Sequence, residues 1–228
     1  MAGPRPHKAL AAAPPGRRKS TRRKSAGPGA RAEKSAARRA AILTAALDEF
    51  SARGFAATRL DDVARRAGVA KGTIYLHFRD KEALFQELVR SAMGPLVGTL
   101  EVAFRTELPA RVVADRIVEL FVREVYGTRR KDIIRLIISE GPRFPKLAEF
   151  YYREVLSKVL AAARDLLKRA VARGEVADAT IARFPQLIAA PGIVAIIWSG
   201  LFDRFEPLDV RALMHAQLDL LFGKRRAA

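Results

Sequence analysis

Lys71, Thr73, Tyr75 and His77 fall within seven consecutive residues, none of them acidic. An ammonium, a hydroxyl, a phenol and an imidazole are all hydrogen-bond donors. Gathered without a carboxylate, they suit an anionic partner. Lys71 can donate to guanine O6 and N7 or to phosphate, and Thr73 can reach a base edge or a thymine methyl. Tyr75 and His77 each offer one donor to phosphate oxygens. Gly72 removes bulk where a backbone would approach DNA. Other chemistries find less material. The chain has no cysteine, which excludes disulfides, thiolate zinc sites and thiol nucleophiles. His7, His77 and His215 are too far apart in sequence for metal spacing. No phosphate-binding glycine loop or nucleophile–base pair is present. Neither enzymatic activity, nor a cofactor, nor a metal is expected.

These donors need an element that holds them on one side. The stretch Thr58 to Phe85, TRLDDVARRAGVAKGTIYLHFRDKEALF, predicts two short helices, about 59–67 and 71–77, meeting at a turn on Gly68. Glycine permits the left-handed backbone of such a turn. Ala64 and Ala67 are small enough for close helix approach, and Ile74 and Phe78, spaced i and i+4, anchor the second helix. Thr58 and Asp61 are spaced as a cap pair at the first helix. Asp80 can cap a following helix that carries Leu84, Phe85, Leu88 and Val89 inward, with Met93-Gly94-Pro95 as its end. A helix over 35–53 precedes the pair, with Ile42, Leu43, Ala46, Leu47 and Phe50 on one face and Gly54 as its stop. Arg59 and Lys81 add charge where helix N-termini present free N–H groups.

The net charge is +18, unevenly spread. Residues 1–34 hold ten Lys/Arg and one acid, hence +9, and residues 35–93 hold ten and seven, hence +3. The opening 34 residues, rich in Pro, Gly, Ala and Arg, read as a disordered basic tail. Pro4, Pro6, Pro14, Pro15 and Pro28 break any amphipathic repeat, and no secretory signal is read there. A basic chain favours polyanions.

From residue 96 the pattern remains helical, over about 96–106, 111–126, 130–139, 145–173, 179–204 and 208–222, with no period-two run. Phe184 to Phe202 carries no charge. Pro185, Gln186, Pro191 and Gly192 make it a buried or subunit-facing helix rather than a membrane span. Ile188 to Trp198, with Leu213, Leu220 and Leu221, forms a surface for the same helices of a second subunit. Phe121, Tyr126, Phe144, Tyr152 and Trp198 are candidates to line a pocket.

The stretch strongly resembles the DNA-binding domain of TetR-type regulators. The likeness runs over about sixty residues, 36–95. It rests on Ile42, Ala45, Ala46, Phe50, Gly54-Phe55 and Thr58, then Val63-Ala64, Ala67-Gly68-Val69 and Gly72-Thr73-Ile74-Tyr75. It continues through His77-Phe78, Lys81-Glu82 and Leu84-Phe85. It implies that Tyr75, His77 and Lys81 contact phosphates, that Thr58 stands at the start of helix two, and that Lys71, Gly72 and Thr73 face bases. Two positions depart from the family: Ala70, where a polar residue is common, and Arg59, where a small polar residue is usual. Arg135 to Glu140, followed by Pro142-Arg143-Phe144-Pro145, resembles a multidrug-efflux-associated subset.

The expectation is therefore an all-α fold. A basic tail (1–34) precedes a three-helix DNA-binding domain with a helix-turn-helix (35–95). A larger helical domain (96–228) dimerises and binds an effector. The implied function is a bacterial, cytoplasmic, nucleoid-associated repressor. Its partners are double-stranded operator DNA, a second copy of itself and an unidentified small-molecule effector, with no membrane. The alternative is an architectural protein that binds DNA without sequence preference.

Overall fold

The computed structural model describes residues 28–176 and 179–223, together with Met1 and Gly3. Among the described residues all regular structure is helical. In chain order the helices are α1 (Pro28–Ala57), α2 (Leu60–Arg66), α3 (Lys71–His77), α4 (Lys81–Phe104), α5 (Ala110–Phe121), α6 (Arg130–Glu140) and α7 (Pro145–Tyr151). They continue with α8 (Ser157–Ala172), α9 (Thr180–Arg183), α10 (Gln186–Leu201) and α11 (Val210–Phe222). A π-helical segment, Val122–Tyr126, prolongs α5, and a second, Tyr152–Leu156, joins α7 to α8.

The chain divides into two compact units, Met1–Ala36 and Ala37–Ala228. In the first, residues 28–36 form the opening turns of α1, and most of the tail read from the sequence lies outside the described residues. The helix begins at Pro28, seven residues before the expected start. Those residues lack an apolar face, so periodicity gives no signal. Their Ala, Arg, Glu and Lys are nonetheless good helix formers, and proline suits a first helical position.

In the second unit, α1 departs from helical geometry at Gly54, whose φ of 75° and ψ of 166° favour glycine. A side chain there would also meet Glu140, whose Oε1 lies 2.7 Å from the Cβ position. Helix α4 corrects the sequence expectation. It does not end at Met93-Gly94-Pro95 but runs on to Phe104 with Pro95 inside. Proline removes one backbone donor and normally breaks a helix. Here the buried stripe Leu84, Phe85, Leu88, Val89, Met93, Leu96 and Val97 keeps its helical period straight across it, and tertiary packing overrides the local penalty.

One apolar core joins what the sequence separates at residues 95 and 96. It takes Phe50, Phe55, Ile74, Leu84 and Phe85 from the first region, and Ile133, Leu136, Leu147, Phe150 and Ile196 from the second. Two smaller clusters complete the interior. One packs α5 against α8 around Val113, Leu166 and Leu167. The other packs α5 against α10 and α11 around Val118, Ala195, Met214 and Leu218.

Candidate nucleic-acid interface

Helices α2 and α3 meet at Gly68, where φ is 65°. The Val69 N–H donates to the Ala64 carbonyl at 3.0 Å and closes the turn. Ile74 is fully buried and Phe78 nearly so, which fixes the roll of α3. Lys71, Gly72 and Tyr75 consequently face solvent, while Thr73 and His77 are half-buried at its flanks. Ala70, before α3, provides no side-chain cap. Asp80 does cap α4, accepting from the Ala83 N–H at 2.7 Å.

Two of the expected donors share an intramolecular acceptor. The Lys71 ammonium donates to Asp61 Oδ2 at 2.7 Å, and the Tyr75 hydroxyl lies 3.3 Å from Asp61 Oδ1. The Lys71 hydrogen bond holds the Asp61 carboxyl below the usual carboxylate range. In return Asp61 raises the Lys71 ammonium. Both groups therefore stay charged at neutral pH. From the sequence Asp61 is read only as half of a cap pair; its position one helix away from Lys71 is a fact of the folded turn.

That cap pair is corrected. Thr58 is only 2% exposed. Its hydroxyl donates to the Gly54 carbonyl at 2.8 Å and does not cap α2. The residue at the α2 N-cap is Arg59, exposed and without a cap bond. Lys81 also has a structural task. Its Nζ donates to the carbonyls of Phe55 and Ala56, each at 2.8 Å, and lies 4.7 Å from the centre of the Phe55 ring. Burial pushes its ammonium below the usual lysine range. It thus ties the start of α4 to the end of α1, in keeping with a cation near orphan carbonyls.

Ion pairs set the helix-turn-helix on the rest of the molecule. Glu49, buried on α1, receives Arg66 Nε at 2.6 Å. Asp48 on the same helix pairs with Arg129 at 2.6 Å, and Arg129 with Asp132 at 2.7 Å. Arg135 extends the network to α10, donating to Ser199 Oγ at 2.7 Å and to the Ile196 carbonyl at 3.1 Å.

A second candidate site lies deeper. Leu96, Leu100 and Phe104 of α4, Ile117 and Phe121 of α5, and Ile188 of α10 contribute to the lining of a cavity of about 160 Å³. Of the five aromatic residues singled out for a pocket, Phe121 lines this cavity and the other four stand elsewhere. Phe144 packs edge-on against Phe55 at 5.0 Å. Tyr126 packs into the core beneath Lys131. Tyr152 is 55% exposed. Trp198 donates its indole N–H to the Glu206 carbonyl at 2.7 Å and stacks on Phe202. Aromatic type alone does not distinguish a lining residue from packing or surface.

The apolar surface near the C-terminus also differs in detail from its expectation. Ala195 and Ile196 are fully buried within one chain, whereas Val194, Ile197, Leu201, Phe205 and Leu220 are exposed. No helix among the described residues is long and apolar enough to cross a membrane. No cluster of His, Asp or Glu among them could hold a metal ion.

Fold and site together define a helix-turn-helix protein with a helical C-terminal region. Sequence comparison agrees. The pattern of bacterial regulatory proteins of the tetR family matches residues 42–88, and that of the tetracyclin repressor-like C-terminal domain matches residues 112–216. The HTH-type transcriptional repressor BepR of Brucella suis biovar 1 (strain 1330) is 34% identical over 148 residues, 61% of this chain and 69% of BepR. The HTH-type transcriptional regulator SrpR of Pseudomonas putida is 29% identical over 59% of this chain, which spans 61% of SrpR. Among solved structures, the SmeT–triclosan complex (SmeT being a Stenotrophomonas maltophilia repressor) superposes with a TM-score of 0.67. The match is 19% identical and covers 82% of this chain and 92% of SmeT, a likeness of fold. The chain belongs to the TetR family of bacterial regulatory proteins.

Proposed function

We propose that this chain is a dimeric, cytoplasmic, sequence-specific repressor whose α3 enters the major groove of operator DNA. The observation that carries the reading is the outward set Lys71, Gly72 and Tyr75 on a helix whose roll is fixed by buried Ile74 and Phe78. Lys71 and Thr73 address bases, and Tyr75 and His77 address phosphates. Arg59 adds charge at the α2 N-terminus. Thr58 and Lys81 act mainly by fixing the α1–α2 and α1–α4 junctions, with Lys81 contributing a positive charge near the backbone. DNA that displaces Asp61 as the partner of Lys71 and Tyr75 meets two donors already aimed outward.

The exposed faces of α10 and α11 are proposed to pair with the same faces of a second copy, which sets two α3 helices on one side of the assembly. The cavity supports an uncharged, largely apolar effector, because the lining named above offers no charged group. Its volume is near that of a site for a single aromatic ring, so a larger ligand must open it. The triclosan bound by SmeT is an example of the chemistry that could be tried. An effector that prefers one arrangement of α4 weakens DNA binding by linkage. No catalytic role is proposed.

The test is competition. Duplexes selected from a random pool should stay bound in moderate salt with excess random DNA; an architectural binder would be competed off. Lys71→Ala should relax base choice by about tenfold, while Tyr75→Phe weakens all sequences alike. If both variants bind the selected duplex like the parent, α3 is not the reading element.

A further inference from the structure

Helix α3 exposes one residue with no hydrogen-bonding capacity and no partner in the fold. Leu76 is 85% exposed. Among the described residues from 28 to 101, only Tyr75 and Leu76 are exposed large hydrophobics. A single exposed leucine is ordinary on a protein surface. The position of this one is more informative. At about 100° per residue, Leu76 points directly away from the buried pair Ile74 and Phe78. Gly72 lies one turn before it on the same outward stripe, with open space around its Cβ position. Lys71 and Tyr75 lean to one side of the stripe, toward Asp61. Thr73 and His77 lie half-buried on the other. If α3 enters a groove, Leu76 projects furthest into it, past a backbone that Gly72 leaves bare. The helix-turn-helix that carries this apolar tip also carries the exposed cations Arg59, Arg65 and Lys71, with Arg79 just beyond it, and these favour a polyanion as its partner.

The major groove offers such a side chain one apolar feature in unmodified DNA, the C5-methyl of thymine. We infer that Leu76 is a specificity-determining residue that packs against a thymine methyl in each half-site. The inference rests on α3 being the recognition helix and adds an apolar readout to the polar one. Leu76 was not among the residues that hydrogen-bonding chemistry singles out from the sequence.

The full chain is used with a duplex selected from a random pool, and binding is followed by fluorescence anisotropy at fixed salt. Each thymine is replaced in turn by deoxyuridine, which removes only the methyl group. The parent should lose affinity by about fourfold at one position per half-site, the value of one buried methyl-sized group. Leu76→Ala should bind thymine and deoxyuridine equally there, keep its discrimination at other base pairs, and unfold at the parent's temperature. The inference is overturned if no replacement affects the parent, or if Leu76→Ala remains sensitive to it. If Lys71→Ala relaxes base choice while Leu76→Ala changes nothing, α3 stands as the reading element and Leu76 alone falls. If the chain selects no sequence at all, both readings fail together.

Discussion

The two ends of the described chain leave different amounts of apolar surface uncovered. Among the described residues from 28 to 101, exposed large hydrophobics are confined to Tyr75 and Leu76, side by side on α3. Between Phe184 and Leu220 there are nine, spread over α10, α11 and the connections on either side of α10. The first region is sealed by a core in which Phe50, Phe55 and Phe85 are in mutual ring contact and Phe144, from beyond it, covers Phe55. The second leaves large apolar side chains of α10 and α11 uncovered. An exposed apolar surface of that extent marks an interaction site, whereas a nearly sealed surface with an outward row of donors suits a charged, hydrated partner.

The largest expected effect comes from separating these two behaviours. Val194→Asp or Ile197→Asp, on the exposed side of α10, should split the proposed dimer and lower operator affinity by at least about a hundredfold, as bivalent engagement is lost. The helical circular dichroism should be retained. Ala195→Asp should instead unfold the chain, because it buries a charge in the monomer core. Analytical ultracentrifugation with thermal melts decides it. A parent that is monomeric at micromolar concentration and still binds a palindrome tightly would erase the contrast.

A smaller effect tests whether the first region is held by its own core. Phe55→Ala removes the ring that touches Phe50, Phe85 and Phe144 and lies beneath Lys81. It should cost about 3–5 kcal/mol, read as a lower urea midpoint. A loss under about 1 kcal/mol would mean that the surrounding rings close the gap.

The smallest effect concerns a single carboxylate. Glu175 accepts from the Ala110 N–H at 2.6 Å, at the start of α5, and pairs with Arg173. Arg173 holds its carboxyl below the usual range. Its folded value lies below its unfolded one, so its contribution is present above the unfolded value and fades as pH falls through the folded one. Glu175→Gln should lower stability slightly at neutral pH and leave it unchanged in strong acid, so that the acid limb below about pH 4.3 becomes flatter. Urea midpoints across that range measure it, and an unaltered acid limb would remove Glu175 from the account.

Much of the first region was legible because its signals are local. Gly68 at the turn, Ile74 and Phe78 as anchors, Asp80 as a cap and Gly54 as a break in α1 each depend on neighbours a few residues away. Thr58 was misread for the opposite reason. Its spacing to Asp61 imitates a cap, but its hydroxyl bonds upstream, to Gly54, and its burial depends on the fold. Pro95 looks like a helix end because its local penalty is strong, while the packing of Met93, Leu96 and Val97 that outweighs it comes from the rest of the fold. The pocket aromatics were the least legible. Whether Phe144 faces a cavity or the Phe55 ring depends on how α7 meets α1, which no spacing within α7 encodes. Leu76 escaped notice because it cannot donate a hydrogen bond.

The unbroken course of α4 has a mechanical meaning. The cavity grips it beyond Pro95, through Leu96, Leu100 and Phe104, while the DNA-binding region grips it before Pro95, through Leu84, Phe85, Leu88 and Val89. Proline leaves the Ser91 carbonyl without its helical partner, and a missing bond is where a rod bends most easily. Lys81 stands fourteen residues before Pro95, an arm of about 21 Å. A tilt of about 10° at the pivot sweeps the far end through about 4 Å, more than the length of a hydrogen bond. For the proposed repressor, a motion too slight to disturb the packing around an effector would become, at the tip of this lever, a displacement that a phosphate contact could not follow.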